Sequence, residues 1–362
     1  IRICRDDDMK LNEICEVYSG YALKAFNDAE DGLPVIKIGN ILTDGTLNLE
    51  ECQYTTDSVN EKYYSQRGDI YIALSGATTG KIGIMDAGEK YVINQRVGIV
   101  RQKSDDVPQE YIKYFLLRQT NRILQEAAGC AQPNISPKQI AEYVIPDTSQ
   151  EKMQEICEVL DRIKKIIDSR KAEMSALDDL IKARFVEMFG DVQHEEKYKG
   201  IQLGELCTTM SGGTPSTKFP EYYEGDIPWI STVSLGPNYI DGTTAKGYIT
   251  QEAVDNSATK LIPAGNILFG TRVGVGKSSL NNVDICTNQD IVAIVGIDES
   301  KFNRLFIKHV LDAYQSYYDS IKKGATILGI TGDDLKDTLI PNAPIEIQIE
   351  FEKFVNQVDK SK

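Results

Sequence analysis

The chain has 362 residues, with 40 Lys+Arg against 54 Asp+Glu and a formal net charge of −14. At roughly 150 residues per domain that length predicts two domains, and the acid excess argues against a uniformly basic nucleic-acid coat. Hydrophobic residues make up 41% of the chain, enough to bury real cores, which excludes disorder as the main state. No apolar run approaches the ~20 residues of a membrane span, and Ile1 to Lys10 is charged where a signal peptide would be apolar. The cysteines Cys4, Cys15, Cys52, Cys130, Cys157, Cys207 and Cys286 are scattered and odd in number, with no Cys-x-x-Cys pair. Neither a disulfide framework nor a zinc site is expected, and a reducing cytoplasm is the expected compartment. His194 and His309 are the only histidines, so a three-histidine metal site is excluded.

In chain order, the runs Ile70 to Leu74 and Val97 to Val100 predict strands, and Pro108 to Ala128 predicts one amphipathic helix. Gln150 to Phe189 contains no Pro or Gly and is dominated by helix formers. Apolar positions fall at Ile156, Leu160, Ile163, Ile167, Met174, Leu177, Ile181 and Met188. With Arg170 and Arg184 filling two gaps, they alternate four and three residues apart, the heptad rule of a coiled coil. Such a helix spans about 60 Å. Further on, Ile267 to Phe269 and Ile291 to Val295 predict strands, and Lys301 to Lys322 a second amphipathic helix. Ile345 to Lys362 predicts a shorter terminal helix, whose Phe351, Val355 and Val358 match Ile156, Leu160 and Ile163. Antiparallel pairing of the two heptad helices would leave part of the longer seam uncovered. Strands first and helices late make the fold class α+β.

The chain is written twice, at an offset of about 195 residues. Leu11-Asn12-Glu13-Ile14-Cys15 returns as Leu203-Gly204-Glu205-Leu206-Cys207, and Ser19-Gly20 as Ser211-Gly212. Gly68-Asp69-Ile70 returns as Gly265-Asn266-Ile267, Gly80-Lys81 as Gly276-Lys277, Asn94-Gln95 as Asn288-Gln289, and Ile145-Pro146 as Ile340-Pro341. So long a period excludes a solenoid and describes a duplicated domain with its connector. The domains are read as 1–148 and 192–343, the helices as 149–191 and 344–362.

Motifs that suggest catalysis fail on inspection. Gly274-Val275-Gly276-Lys277-Ser278 lacks the first glycine of a P-loop, since Thr271 stands there, and the residues after it look turn-like rather than helical. No Gly-x-Gly-x-x-Gly follows a strand, so dinucleotide or S-adenosylmethionine binding has no handle. No nucleophile, base and orienter assemble. Charge is uneven: residues 90–103, 111–125, 256–283 and 300–311 carry Lys or Arg and no acid, so each copy could present a basic face. Local positive charge is what binds phosphate, whatever the total.

The doubled, ordered set resembles the specificity subunit of type I restriction–modification systems. The resemblance rests on the two Leu-x-Glu-Ile/Leu-Cys openings with Ser-Gly, the two Asn-Gln pairs, and Ala131-Gln132-Pro133-Asn134-Ile135-Ser136 before Ile145-Pro146. Ala325 to Thr331 stands likewise before Ile340-Pro341, and Glu346-Ile347-Gln348 opens the terminal helix. Met153 occupies the place of Gln348 in the other copy, so that feature holds once. The resemblance implies a non-catalytic subunit with two target recognition domains, each reading half of a bipartite double-stranded DNA target. It implies helices that fix half-site spacing and bind two methyltransferase subunits, with restriction subunits joining the complex. S-adenosylmethionine, ATP and Mg²⁺ would then sit on those partners, with no cofactor or metal here. By chemistry, the favoured DNA contacts are Thr78, Thr79, Lys81, Arg96, Gln132 and Asn134 in copy one and Arg272 and Lys277 in copy two. Asn94-Gln95 and Asn288-Gln289 suit backbone-bonding roles. A paired interaction scaffold without DNA binding is the alternative.

Overall fold

The computed structural model describes residues 8–28, 31–128, 133–194, 197–324 and 328–362. It divides into two compact units, residues 1–169 and 170–362.

Unit 1 begins with β1 (Asp8–Lys10), the one-turn α1 (Leu11–Ile14) and β2 (Cys15–Ser19). β3 (Leu33–Ile36), β4 (Gln53–Thr55), β5 (Ile70–Ala73), β6 (Ile82–Ile84), β7 (Val92–Ile93) and β8 (Val97–Gln102) follow. Then come α2 (Gln109–Arg118), α3 (Thr120–Ala127), α4 (Pro137–Ala141) and β9 (Val144–Pro146). The sheets run β2-β8-β5-β6, β4-β3-β7 and β1-β9. β5 is buried along its whole length because α2 and α3 cover one face and the small sheet the other. The long helix α5 (Gln150–Phe189) has the expected bounds. Its first turns bury Met153 and Cys157 in the core of unit 1.

Unit 2 repeats the plan. It opens with β10 (Gly200–Gln202), α6 (Leu203–Leu206) and β11 (Thr208–Ser211). β12 (Ile227–Ile230), β13 (Tyr239–Ile240), β14 (Gly247–Ile249), α7 (Gln251–Asp255), β15 (Ile267–Gly270), β16 (Ser278–Asn281), β17 (Cys286–Thr287) and β18 (Ile291–Val295) follow. α8 (Arg304–Ala313), α9 (Gln315–Ile321), α10 (Gly332–Lys336), β19 (Leu339–Pro341) and α11 (Ile345–Asp359) complete it. Its sheets run β11-β18-β15-β16-β13, β14-β12-β17 and β10-β19, the order of unit 1 with β13 added at one edge. The α+β class and the tandem repeat are therefore what the chain folds into.

Three expectations need correction. Each amphipathic helix is two helices. Gln119 and Tyr314 close the first of each pair with amides that reach back three residues, and the Thr120 hydroxyl takes the Leu117 carbonyl at 3.0 Å. The residues after Gly276-Lys277 form strand β16 rather than turns. The heptad seam is buried only at its ends. Ile156, Leu160 and Leu177 are half-buried and Ile181 buried, but Ile163, Ile167 and Met174 are 47–49% exposed. At the C-terminal end of α5, Phe185 rather than Arg184 faces inward, because α8 and α11 both pack there; its ring lies 5.5 Å from Phe351. Phe351, Val355 and Val358 are buried as expected. Arg184 pairs with Glu350 at 2.9 Å and Lys362 with Asp178 at 2.7 Å, which fixes the antiparallel sense of α11 on this end of α5.

Candidate nucleic-acid interface

In each unit a parallel strand pair ends at one rim, and that rim gathers the repeated motifs. In unit 1, β3 and β7 run parallel and release Lys37–Asn40 and Asn94–Arg96 at the same edge. The chain after β2 lies against them: the Tyr21 amide donates to the Ile93 carbonyl at 2.8 Å, and the Gln95 amide to the Tyr21 carbonyl at 2.9 Å. Ser-Gly recurs for a steric reason. A Cβ on Gly20 would stand 2.3 Å from the Ile93 oxygen, and one on Gly212 2.1 Å from the Asn288 oxygen. The glycine-rich loop after β5 joins the rim through Leu74, whose amide donates to the Arg96 carbonyl at 2.9 Å and whose carbonyl accepts from Ile135 at 2.9 Å. Gly80 turns that loop at φ +82°.

Rim 1 thus brings Arg96 and Asn134 together, with Gln95 and Ser136, around an open hollow of about 340 Å³. Arg96 is exposed and carries no ion pair among the described residues. Lys81 is half-buried, likewise without an acid partner. Thr79 does not face outward: it is 4% exposed, and its hydroxyl donates to the Gly76 carbonyl at 2.7 Å, closing the loop. The Thr78 hydroxyl is buried without a partner among the described residues. Gln132 lies outside the described residues. Asn94 has the backbone role expected of it, accepting from the Arg96 amide at 3.1 Å.

Rim 2 is built alike. The Asn288 amide donates to the Ile230 carbonyl at 3.0 Å, the Thr271 amide to the Asp290 carbonyl at 2.8 Å, and the Ile330 amide to the Thr271 carbonyl at 2.8 Å. Arg272 and Lys277 are both exposed here. Arg272 approaches Asp290 at 3.8 Å, and Asp290 accepts from the Asn288 amide group at 3.1 Å. The Thr214 hydroxyl donates to Gln289, a partner that no sequence signal announced.

The acid-free stretches overstate the basic faces. Arg101 is not on a surface. It clamps the buried Asp69 at 2.6 Å, and that carboxylate outweighs burial to raise the guanidinium's pKa. Lys308 pairs with Asp312 at 2.7 Å, Arg304 with Glu299 and Lys301 with Asp298, all acids just outside the 300–311 window. A hollow of about 900 Å³ lies elsewhere in unit 2, between α5, α8 and the Gly236–Tyr239 turn. Among the described residues no acid, His and Cys group could hold a metal, and no helix is long and apolar enough to cross a membrane.

The comparisons agree with this doubled geometry. The family model for the type I restriction modification DNA specificity domain matches residues 7–177 and again 195–362. The MjaIX specificity subunit of Methanocaldococcus jannaschii is 30% identical over 44% of this chain and 37% of its own length. The EcoR124I/EcoR124II specificity subunit of Escherichia coli is 28% identical over 59% of this chain and 53% of its own. The chain thus spans between a third and just over half of those two relatives. The putative MjaX specificity subunit of M. jannaschii is 22% identical over 97% of this chain and 86% of its own length. In fold, the chain is similar to the type I S subunit from M. genitalium, with a TM-score of 0.52, 13% identity and coverage of 100% and 92%. With both halves matched by one family model, the chain belongs to the type I restriction–modification DNA specificity family.

Proposed function

We propose that this chain is the non-catalytic sequence-specificity subunit of a type I restriction–modification enzyme, each rim reading one half of a split double-stranded DNA target. The observation that carries the reading is the doubled rim: two copies of one strand-end arrangement, each presenting an Asn-Gln loop, a glycine-rich loop and at least one cation free of acid partners. Residues 1–148 and 192–343 act as the two recognition domains. Arg96, Asn134, Arg272 and Lys277 are the DNA-facing candidates, with Lys81 at the side, while Thr79 shapes its loop. α5 and α11 set the distance between half-sites, which must match a whole number of ~3.4 Å base-pair steps. The exposed Val159, Ile163, Ile166, Ile167 and Met174 on α5 support a role for that helix in docking two methyltransferase subunits. Restriction subunits join through the assembled complex. S-adenosylmethionine, ATP and Mg²⁺ belong to those partners in this reading.

The test is methylation mapping with the modification partner. A split target whose halves change one at a time, when 10–148 or 192–343 is exchanged for another recognition domain, is expected. Modification of one continuous site overturns the two-half reading. DNA affinity must also fall steeply from low to moderate salt. An interaction scaffold would bind no DNA at either.

A further inference from the structure

Rim 2 carries a feature that has no counterpart among the described residues of rim 1. Val233, on the one-turn helix that follows β12, is 87% exposed. Val273, in the loop after β15, is 49% exposed, and Leu328 is 56% exposed. Single exposed apolar residues are ordinary, but these three stand at one edge. The hydrogen-bond sequence described above links Ile230 to Asn288, Asp290 to Thr271, and Thr271 to Ile330, so the three segments lie in succession along the rim. Gly329 lies so close to Arg272 that a Cβ there would be 3.1 Å from its Cγ, which puts Leu328 next to the Arg272–Val273 corner. In unit 1 the matching one-turn helix has Gly39, the matching loop Ala77 and Thr78, and the matching approach Pro133.

The polar setting selects the occupant. Exposed Arg272 and Lys277, and Gln289 beside Thr214, surround the apolar groups. A nucleic-acid edge combines phosphate charge, amide-reading groups and exposed methyls, and in the major groove thymine alone among the bases presents a methyl group. We infer that the second half-site contains thymine whose 5-methyl groups pack against Val233, with Val273 and Leu328 beside it. This rests on the DNA-specificity reading above and adds to it the base class read by unit 2.

The full chain with its modification partner selects targets from a random duplex library. The half assigned to residues 192–343 is then resynthesised with deoxyuridine in place of thymidine. Binding is expected to weaken about fourfold per contacted methyl, the factor that one methyl-sized burial implies. In Val233→Ala, and independently in Leu328→Ala, that sensitivity shrinks while thermal unfolding is unchanged, since both side chains are exposed. Undiminished binding to the deoxyuridine half, or a second half-site without a T·A pair, overturns the inference and leaves the DNA reading standing. Loss of binding to a protein while DNA binding is indifferent to Val233 overturns it too. Recovery of no split DNA at all overturns both.

Discussion

The two rims share a backbone and differ in charge. In rim 1, Asn94 accepts from the amide of Arg96, leaving the guanidinium exposed and without an ion pair among the described residues. In rim 2 the equivalent position is Asp290, which holds Asn288 and lies 3.8 Å from Arg272. The glycine and asparagine that build the rim recur, as do Gln95 and Lys81 in Gln289 and Lys277, while Arg96 is replaced by Asp290. The supports behind the rims differ as well. Unit 1 buries the Asp69–Arg101 ion pair, whereas unit 2 has Asn266 and Asn281, with Val295 in place of the arginine. One backbone plan therefore tolerates either a buried charge pair or a neutral amide pair at its centre.

The sharpest way to break that comparison is to remove one support. Asp69 is 1% exposed and accepts from Arg101 and from the Gln66 amide, so Asp69→Ala strands a guanidinium whose side chain is only 13% exposed. We expect a loss of about 3–5 kcal/mol from unit 1. Asn266→Ala in unit 2 forfeits one neutral bond, from its side-chain amide to the Pro263 carbonyl at 2.9 Å, and costs about 1 kcal/mol. The single tryptophan, Trp229, lies in unit 2 and separates the two. In urea, Asp69→Ala should shift part of the far-ultraviolet dichroism transition and leave the Trp229 fluorescence midpoint in place.

The rims themselves give the next largest effect. Arg96→Asp copies the charge of rim 2 into rim 1 and is expected to cost about 1–3 kcal/mol of target affinity, with a shallower salt dependence. Asp290→Ala releases Arg272 without removing it. Affinity should change less than in Arg96→Asp, while discrimination at one base pair of the second half-site falls. Binding isotherms at several salt concentrations, with single-base variants of the target, measure both. Equal responses to the two substitutions would mean that Asp290 does not orient Arg272.

An effect of comparable size tests the seat of the helices. Gln348 is fully buried, accepts from the Asn303 amide at 2.8 Å, and donates to the Ala343 and Lys301 carbonyls at 2.7 and 3.1 Å. Unit 1 has Met153 there because Pro108, in the place of Asn303, has no amide hydrogen to satisfy. The departure seen in the sequence is thus a coupled change. Gln348→Met leaves three backbone groups unpaired and should cost about 2–3 kcal/mol. Asn303→Pro by itself also removes the Asn303 cap on the Phe306 amide and its bond to Glu352. The check is therefore a double-mutant cycle read in the Trp229 transition: Gln348→Met should cost less in the Asn303→Pro background than in the native one, and equal costs would sink the coupling.

The repeat was legible because order at a long offset does not depend on tertiary context. The bounds of α5 were legible because forty residues without Pro or Gly leave a helix few alternatives. The breaks at Gln119 and Tyr314 were not, since the side chains and amides that end those helices form no motif. The site was half legible. Arg96 and Asn134 do meet, because each stands beside a repeated landmark. Thr79 and Arg101 misled, because residue type alone cannot say that a hydroxyl closes its own loop or that an arginine faces an aspartate 32 residues away. Val233 gave no signal at all, since an apolar residue after a strand ordinarily reads as core.

The smallest expected effect separates the units by pH. His309 on α8 stands where unit 1 has Tyr114 on α2, whose hydroxyl donates to Asp161. The imidazole is largely buried, its shielded Nε2 has no partner among the described residues, and its ring meets Phe351 edge-on at 5.2 Å. Burial first, then the positive charges of Lys308 and Lys362, push its pKa well below the ordinary value. Asp312 lies 3.9 Å from Nδ1, but Lys308 already holds that carboxylate at 2.7 Å. The unfolded chain takes up a proton near pH ~6.5 that the folded chain refuses. Stability present above that pH is therefore lost as pH falls below it, by up to ~1.4 kcal/mol per pH unit until the folded pKa is reached. Between pH 6.5 and 5, above the range of ordinary carboxylates, the Trp229 midpoint in urea should drop. His309→Gln should flatten that slope. In unit 1 the phenol of Tyr114 is pushed upward by burial and by Asp161, far from this window, so its transition should hold steady over the same interval. A parallel decline in both units would assign the acid sensitivity to carboxylates common to the two copies instead of His309.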